Sequence, residues 1–165
     1  MLRDKSLIPL SHQHQHALAL CVRIDRAAPI PGENLDAWQA EIAQQFRGEI
    51  YIHFAAEEQL VFPAARRFDE LAPLIQELLA EHRTLRAYFA TAEGREMTPF
   101  TLVEFAHALS AHIRKEERQL FERLQQLLKP EELSGLGKQL EQALADSTNV
   151  CILPNEATRL RPVDN

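Results

Sequence analysis

Residues 35–61 read LDAWQAEIAQQFRGEIYIHFAAEEQLV, a stretch in which apolar residues recur every three or four positions. That spacing is typical of an amphipathic α-helix with one buried face. Its last turns contain the phrase HFAAEE, in which His53 falls in the apolar stripe and Glu57 follows four residues later. A histidine and a glutamate at this spacing lie on one face of a helix, so both side chains can bind a single ion. The stretch therefore predicts a long helix that carries a metal-binding pair.

A related phrase recurs later in the chain, as HIRKEE at residues 112–117. His112 lies three residues after Leu109 and eight before Leu120, within another apolar stripe, so it also faces inward. Glu116 follows it by four residues. Two such pairs predict a metal centre whose ligands come from at least two helices.

Prolines and glycines divide the remaining sequence into helical segments joined by short connections. Pro9, Pro73 and Pro99 each suit the first turn of a helix, whereas Pro63 can end or kink one. We predict four long helices, with approximate bounds 9–27, 35–63, 73–93 and 99–129. Together they predict an all-α fold, an antiparallel up-down-up-down four-helix bundle.

A fifth, shorter helix is predicted after the bundle. Pro130 suits its first position, and the helical pattern extends to about Asp146. Its apolar side is formed by Leu133, Leu136, Leu140 and Leu144. After Ser147 the sequence has no period, so we expect an extended or mobile tail. The predicted organisation is a metal-binding bundle over residues 1–128, with the C-terminal helix and tail of residues 129–165 packed on the same domain.

The first helix offers three candidate histidines, which its periodicity separates. His14 lies four residues after Leu10 and four before Leu18, on the predicted buried face. His12 and His16 project toward the sides of that face, and a metal contact by either of them stays open. His14 is therefore the predicted ligand from this helix.

The same periodicity separates the histidines of the third and fourth helices. His82 lies between Leu78 and Leu85 in the apolar pattern, so it faces inward. His107 is five residues from His112, about 140° around the helix, and is left outside the site. Each of the four long helices thus contributes one inward histidine.

A single inward histidine is more often a hydrogen-bonded core residue than a ligand, and a single His-x-x-x-Glu pair arises readily by chance. The joint pattern has a different meaning. Four imidazoles and two carboxylates buried together without a cation would cost several kcal/mol, since buried polar groups need partners. The predicted metal ligands are His14, His53, Glu57, His82, His112 and Glu116.

The second glutamate of each phrase, Glu58 or Glu117, lies about 100° further around its helix. We expect solvated or salt-bridging roles for both, although a minor ligand role for Glu58 stays open. Arg86 follows His82 by one turn, where pairing with a site carboxylate and exposure to solvent are equally compatible with the sequence.

The ligand types restrict the metal. Imidazole and carboxylate without thiolate suit iron, zinc or manganese. Six ligands are too many for one tetrahedral zinc, and they divide naturally between two ions bridged by Glu57 and Glu116. Ferritin-like bundles use Glu-x-x-His motifs instead, so this arrangement belongs to a class richer in histidine.

Composition excludes several other classes. The chain has 165 residues, a net charge of -6 and 45% hydrophobic residues, which argues for a soluble protein and against a nucleic-acid surface. No apolar run is long enough to span a membrane, and no apolar signal core follows the N-terminus, so the expected location is the cytoplasm. Cys21 and Cys151 are isolated and are interpreted as reduced thiols, Cys21 as a small apolar filler.

At this point the chain resembles the hemerythrin-like proteins, also called HHE cation-binding domains. The resemblance covers about the first 128 residues. It is carried by LSHQHQHAL at 10–18, His53 with Glu57, Glu58 and LVFP at 60–63, Glu81-His82, and HIRKEERQLF at 112–121. It implies a four-helix bundle with a di-iron centre and a bridging oxo or hydroxo group. Glu57 and Glu116 would correspond to the bridging carboxylates, and His14, His53, His82 and His112 to the histidine ligands.

One position departs from the oxygen-carrying members, which place two histidines one turn apart on the third helix. Here Leu78 and Arg86 flank His82 at that spacing. The departure moves the interpretation toward bacterial HHE proteins and iron-sensing hemerythrin-like domains.

We therefore predict a non-haem di-iron protein that binds or senses O2, NO or iron, with zinc or manganese as substitute metals. The alternatives are a di-iron enzyme or repair factor for peroxide or NO stress, and a non-catalytic metal-storage or interaction protein. The sequence shows no separate substrate pocket, nucleophile or glycine-rich phosphate loop, which favours binding or sensing over catalysis. Neither a nucleic-acid nor a membrane partner is expected.

Overall fold

The described part of the chain, residues 2–147 and 154–159 of a computed structural model, is helical and contains no β-strand. The all-α prediction is confirmed. The four long helices and the shorter fifth are α1 (Ile8–Ala27), α2 (residues 35–66), α3 (Ala72–Glu93), α4 (residues 99–127) and α5 (Pro130–Leu144). Two short 3-10 turns, Gly32–Asn34 and Ala145–Ser147, precede α2 and follow α5.

Helices α2 and α4 are not uniform, because wider π-helical turns interrupt them. The regular segments are Leu35–Gln45, Tyr51–Ala56 and Phe62–Arg66 in α2, and Pro99–Lys115 and Glu122–Leu127 in α4. The π turns are Phe46–Ile50, Glu57–Val61 and Glu116–Phe121. Such turns are rare and occur frequently at functional sites. Two of the three begin at Glu57 and Glu116, the two carboxylates predicted to bridge metals.

The helix ends follow the local sequence. Pro99 occupies the first turn of α4, and before it the Thr98 hydroxyl accepts a hydrogen bond of 3.1 Å from the Thr101 backbone N–H. The Thr101 hydroxyl accepts a reciprocal bond of 2.8 Å from Thr98, which completes a capping box. Pro63 does not end α2, which continues to Arg66 directly after the π turn.

Apolar side chains form two clusters at the two ends of the long helices. The first includes Ile24 of α1, Trp38 of α2, Phe89 of α3 and Phe105 of α4. The second includes Leu10, Val61, Leu78 and Leu124 of the same four helices. The predicted metal ligands lie near the point on each long helix where the first cluster gives way to the second, so the site is a polar layer between two apolar ones.

The fifth helix packs on the second cluster. Its buried leucines in that cluster are Leu133, Leu136, Leu140 and Leu144. Gly137 lies so close to the N-terminal segment that an added Cβ would stand 2.7 Å from Cβ of Ser6. Arg23 of α1 donates a hydrogen bond of 2.9 Å to the carbonyl of Thr158, which lies near the C-terminus.

Some predictions are not tested by the fold. The up-down-up-down order, the domain boundaries and the cytoplasmic location stay predictions. Cys21 is buried in the first cluster, as expected of an apolar filler, while Cys151 and most of the predicted tail lie outside the described residues. Within the described ranges, no helix combines the length and the apolar character needed to cross a membrane.

Candidate metal centre

The structure brings all six predicted ligand residues together in the polar layer between the apolar clusters. All six are buried. They form two overlapping groups, each with four ligand atoms within 4.8 Å of one another. Half-site A consists of His14, His53, Glu57 and Glu116, and half-site B consists of Glu57, His82, His112 and Glu116.

The two glutamates belong to both groups because each directs one oxygen to each half-site. Glu57 Oε1 lies 3.2 Å from His53 Nε2, and its Oε2 lies 3.4 Å from His82 Nε2. Glu116 is arranged in the same way, with Oε2 3.2 Å from His14 Nε2 and Oε1 3.2 Å from His112 Nε2. Two carboxylates that each span two imidazole pairs have the geometry of bridging ligands.

Most of the potential metal-ligand atoms of these residues have no hydrogen-bond partner. Among the described residues, eight buried side-chain atoms have no hydrogen-bond partner, and six of them belong to the site. The six are both carboxylate oxygens of Glu57 and of Glu116 and the Nε2 atoms of His82 and His112. Buried polar atoms are normally hydrogen-bonded, so this concentration of unpaired donors and acceptors fits a missing cation.

Half-site A supplies a further test of the fit. Nε2 of His14 lies 3.0 Å from Nε2 of His53. On the other side of the ring, His53 Nδ1 lies 2.8 Å from the Gln13 amide oxygen, which can only accept, so Nδ1 carries the proton. His53 Nδ1 therefore donates to Gln13, and its Nε2 faces His14 and the interior of the site, where it can bind a cation.

Each of the other three histidines hydrogen-bonds a carboxylate through Nδ1. His14 pairs with Glu117 at 2.7 Å, His82 with Glu58 at 2.8 Å, and His112 with Glu81 at 2.8 Å. Such outer partners fix the tautomer and orientation of metal-binding histidines and raise their basicity. All four Nε2 atoms consequently face the interior of the site.

Each of these outer carboxylates forms a salt bridge with a basic side chain. Arg3 donates to Glu117 at 2.6 Å and Arg86 donates to Glu58 at 2.7 Å, while Lys115 is paired with Glu81. Ser11 also donates to Glu117, at 2.7 Å. The predicted salt-bridging roles of Glu58 and Glu117 therefore agree with the structure, as does the pairing of Arg86 with a carboxylate near the site.

Sequence reasoning missed the hydrogen bonds that these groups make to the histidines. It assigned no role to Gln13 or to Glu81. The only available signal was position: Glu81 directly precedes His82, and Gln13 directly precedes His14. Both partners act on a histidine of another helix, which a helical period cannot reveal.

The pKa values describe the protein without a cation. Burial by itself lowers the pKa of His14, but the nearby carboxylates of Glu116 and Glu117 outweigh it and raise that pKa to about 9. Burial is likewise outweighed at His82 and His112, whose pKa values rise to about 9 and about 10. In the absence of metal, protons on the imidazoles therefore balance the buried carboxylates.

The pKa values of the two glutamates shared by the half-sites shift in the opposite direction. Burial and the charge of Glu116 raise the pKa of Glu57, but the nearby His53 and His82 lower it to about 2. Burial favours a higher pKa for Glu116 as well, but the charge of the nearby His112 outweighs it and holds that pKa well below its ordinary value. Both side chains are carboxylates at neutral pH, the form that binds a cation.

The surroundings of the two half-sites differ. The Phe54 ring stacks on His82 with centroids 3.9 Å apart, and Phe62 lies 5.3 Å from the same ring. A small cavity adjoins half-site A and has about 10 Å³ of room for the centre of a water-sized molecule. It is lined by Gln13, His14, Ala17, Glu49, Ile50, His53, Phe54, Leu109, His112, Ile113 and Glu116. The cavity therefore contacts both histidines of half-site A but only His112 of the half-site B histidines.

Sequence reasoning did not single out Glu49, which lines this cavity four residues before His53. Of the other histidines, His12, His16 and His107 are exposed, and none belongs to either half-site. His107 lies 3.0 Å from Asp25 on the surface, which agrees with its exclusion.

Comparison with known families identifies the class. The family model of the hemerythrin HHE cation binding domain matches residues 9–124. The chain therefore belongs to the hemerythrin HHE cation-binding family, and the predicted resemblance is confirmed. The His/Glu groups of the two half-sites fit the binding of metal cations. Searches of the curated proteins and of the solved structures give no match.

Proposed function

We propose that the protein is a non-haem di-iron protein that binds or senses a small neutral molecule such as O2 or NO. The observation that carries this proposal is the arrangement of Glu57 and Glu116, each with one oxygen in each half-site. Each ion would then have two imidazoles and two bridging carboxylate oxygens as protein ligands. Four protein ligands leave coordination positions free on an ion that takes six.

The order of the apolar clusters along the chain supports an antiparallel up-down-up-down bundle. In α1 and α3, the N-terminal half contributes to the second cluster and the C-terminal half contributes to the first cluster. Helices α2 and α4 pass through the clusters in the opposite order. An alternating order of this kind is what four helices of alternating direction produce.

The donor set and the family support iron. Each half-site offers imidazole and carboxylate donors and no thiolate, which suits iron, zinc or manganese. A hemerythrin-family chain with this donor set is best assigned iron, with zinc and manganese as substitutes. When bound, a pair of irons would supply reversible electron transfer and open positions for a small ligand.

The residues around half-site A suit a small, neutral ligand. The cavity is about large enough for one water or one diatomic molecule. Ile50, Phe54, Leu109 and Ile113 line it with apolar surface. The apolar lining excludes bulk water and anything larger than a few atoms.

Metal analysis with absorption spectroscopy tests the proposal. The purified protein should contain about two iron atoms per chain, and in its oxidised form it should show oxo-to-iron charge-transfer bands. His53→Ala should remove half-site A and lower the iron content, whereas His107→Ala, which alters an exposed histidine, should not. Iron that is absent, or a content near one atom per chain without such bands, would overturn the di-iron assignment.

A di-iron enzyme acting on peroxide or NO is the second candidate. Glu49 favours it, since a carboxylate that lines the cavity could exchange a proton with a substrate. Stopped-flow mixing of the reduced, iron-loaded protein with O2 separates the two functions. A spectrum that reverts when O2 is removed supports reversible binding, and rapid oxidation without reversal supports turnover.

A further inference from the structure

Glu49 is a buried carboxylate outside the two half-sites. It lies in the π turn Phe46–Ile50, and its side chain is 8% exposed. Oε2 lies 2.9 Å from Nδ1 of His16, which is mostly exposed on α1. Oε1 has no hydrogen-bond partner. One oxygen is thus anchored toward the surface and the other is left free.

The free oxygen belongs to a residue that lines the cavity next to half-site A. The same cavity is lined by His14 and His53 of that half-site. Glu49 is not a member of the group of ligand atoms that lie within 4.8 Å of one another. It therefore contributes to the wall of the cavity and not to the metal-ligand group.

The arrangement is confined to one half of the site. The residue four positions before His53 is Glu49, whereas the residue four positions before His112 is Ala108. Apart from the predicted ligands His112 and Glu116, α4 contributes the apolar Leu109 and Ile113 to the cavity lining. Glu49 therefore adds to the cavity a negative charge that has no counterpart four residues before His112.

We propose that Glu49 determines which small molecules enter the cavity, by disfavouring anions relative to neutral molecules. This inference rests on the proposed metal centre, since the competition is between a bound cation that attracts an anion and a carboxylate that repels it. Two like charges a few ångströms apart in a poorly solvated cavity repel strongly. A neutral diatomic molecule carries no net charge and meets no such barrier.

Anion binding to the iron-loaded, oxidised protein tests the inference, with azide as the probe. Glu49→Gln keeps the shape of the side chain and removes the charge, and Glu49→Leu removes charge and polarity together. Both variants should bind azide about tenfold more tightly than the wild type, or tighter still, because the like-charge repulsion is lost. Glu49→Asp keeps the charge and should bind azide as weakly as the wild type.

Glu104→Gln is the matched control, because it removes the same charge from an exposed position of α4. It should leave azide affinity within about twofold of wild type, since solvent screens an exposed charge. Calorimetry and the azide absorption band give the affinities, and thermal melting verifies that each variant is folded.

Equal azide affinity in the wild type, Glu49→Gln and Glu49→Leu would overturn the inference while the metal centre stands. Tighter azide binding by Glu49→Asp would also overturn it, since shape and not charge would then be responsible. Loss of iron from Glu49→Gln would show that Glu49 is a ligand, which contradicts the proposed role. Failure of the metal centre itself is recognised separately, by the absence of iron from the wild type before any azide is added.

Discussion

Gln13 donates a hydrogen bond of 2.6 Å to the hydroxyl of Ser147, and thereby joins α1 to the turn that follows α5. The amide oxygen of the same Gln13 accepts from Nδ1 of His53, at 2.8 Å. Ser147 in turn donates to the Leu144 carbonyl at 2.7 Å, which fixes its hydroxyl. A residue beyond the matched family segment, 9–124, is therefore connected to a predicted ligand of half-site A.

Substitution of Ser147 by alanine should weaken metal binding at half-site A. The Gln13 amide would lose its acceptor and become free to rotate, so His53 would lose a fixed partner for Nδ1. Loss of an outer hydrogen bond at a metal site typically lowers affinity by about 10- to 100-fold, and an indirect loss should fall near the lower limit. Competition with a chelator measures the change.

Ser134→Ala provides the control for that experiment, because Ser134 is an exposed serine on α5. It should leave the affinity for metal unchanged. If Ser147→Ala binds metal as tightly as Ser134→Ala does, then the link from α5 to His53 has no role in holding the metal.

The outer carboxylate of half-site B allows a second comparison. Lys115 pairs with both Glu77 and Glu81, but only Glu81 also bonds Nδ1 of His112, at 2.8 Å. Glu81→Ala should lower the affinity for the metal in half-site B by about tenfold or more, because His112 loses its orienting partner. Glu77→Ala removes the other partner of Lys115 and should have little effect. Equal losses in the two variants would mean that Lys115, and not the bond to His112, matters.

The stability of the metal-free protein should depend on pH above neutrality. The pKa values of His14 and His82 are raised from 6.5 to about 9, and that of His112 to about 10, in the folded chain. The folded protein therefore retains protons that the unfolded chain releases, and this stabilisation is complete below pH 6.5. It is lost as the pH rises through about 9 and 10.

Thermal melting in the presence of a chelator, at a series of pH values, measures this loss. The melting temperature should fall between neutral and alkaline pH, and the metal-loaded protein should fall less, because the metal takes the place of the protons at Nε2. Glu57 does not contribute to the trend, since its pKa of about 2 lies far below this range. A metal-free protein whose melting temperature is constant over the range would contradict the prediction.

The sequence predicted the helices and the inward residues because both depend on a period. His14, His53, His82 and His112 each follow an apolar stripe, so their burial could be inferred without a structure. The pairing of Glu57 with His53 follows from the same rule, since residues four apart share a face.

The period cannot give the wider turns or the contacts between helices. The π turns that begin at Glu57 and Glu116 interrupt the regular helical repeat, and no pattern in the sequence predicted them. The bonds from Glu81 to His112 and from Gln13 to His53 join different helices, whose relative rotation depends on packing. The role of Glu49 was missed for the same reason. The cavity that it lines is formed by several helices together, and the sequence does not show how they pack.

Two glycines of α5 should respond to alanine in opposite directions. At Gly137 an added Cβ would lie 2.7 Å from Cβ of Ser6 and 2.9 Å from its Cα, so the backbone would have to shift. Overpacking of this kind costs about 1–3 kcal/mol, which exceeds the helix propensity gained. At Gly135 no atom lies within 4 Å of the added Cβ, and the same change should stabilise the helix by about 0.5–1 kcal/mol. Urea denaturation should therefore show a lower midpoint for Gly137→Ala and a higher one for Gly135→Ala, and shifts of the same sign would mean that α5 does not pack against Ser6.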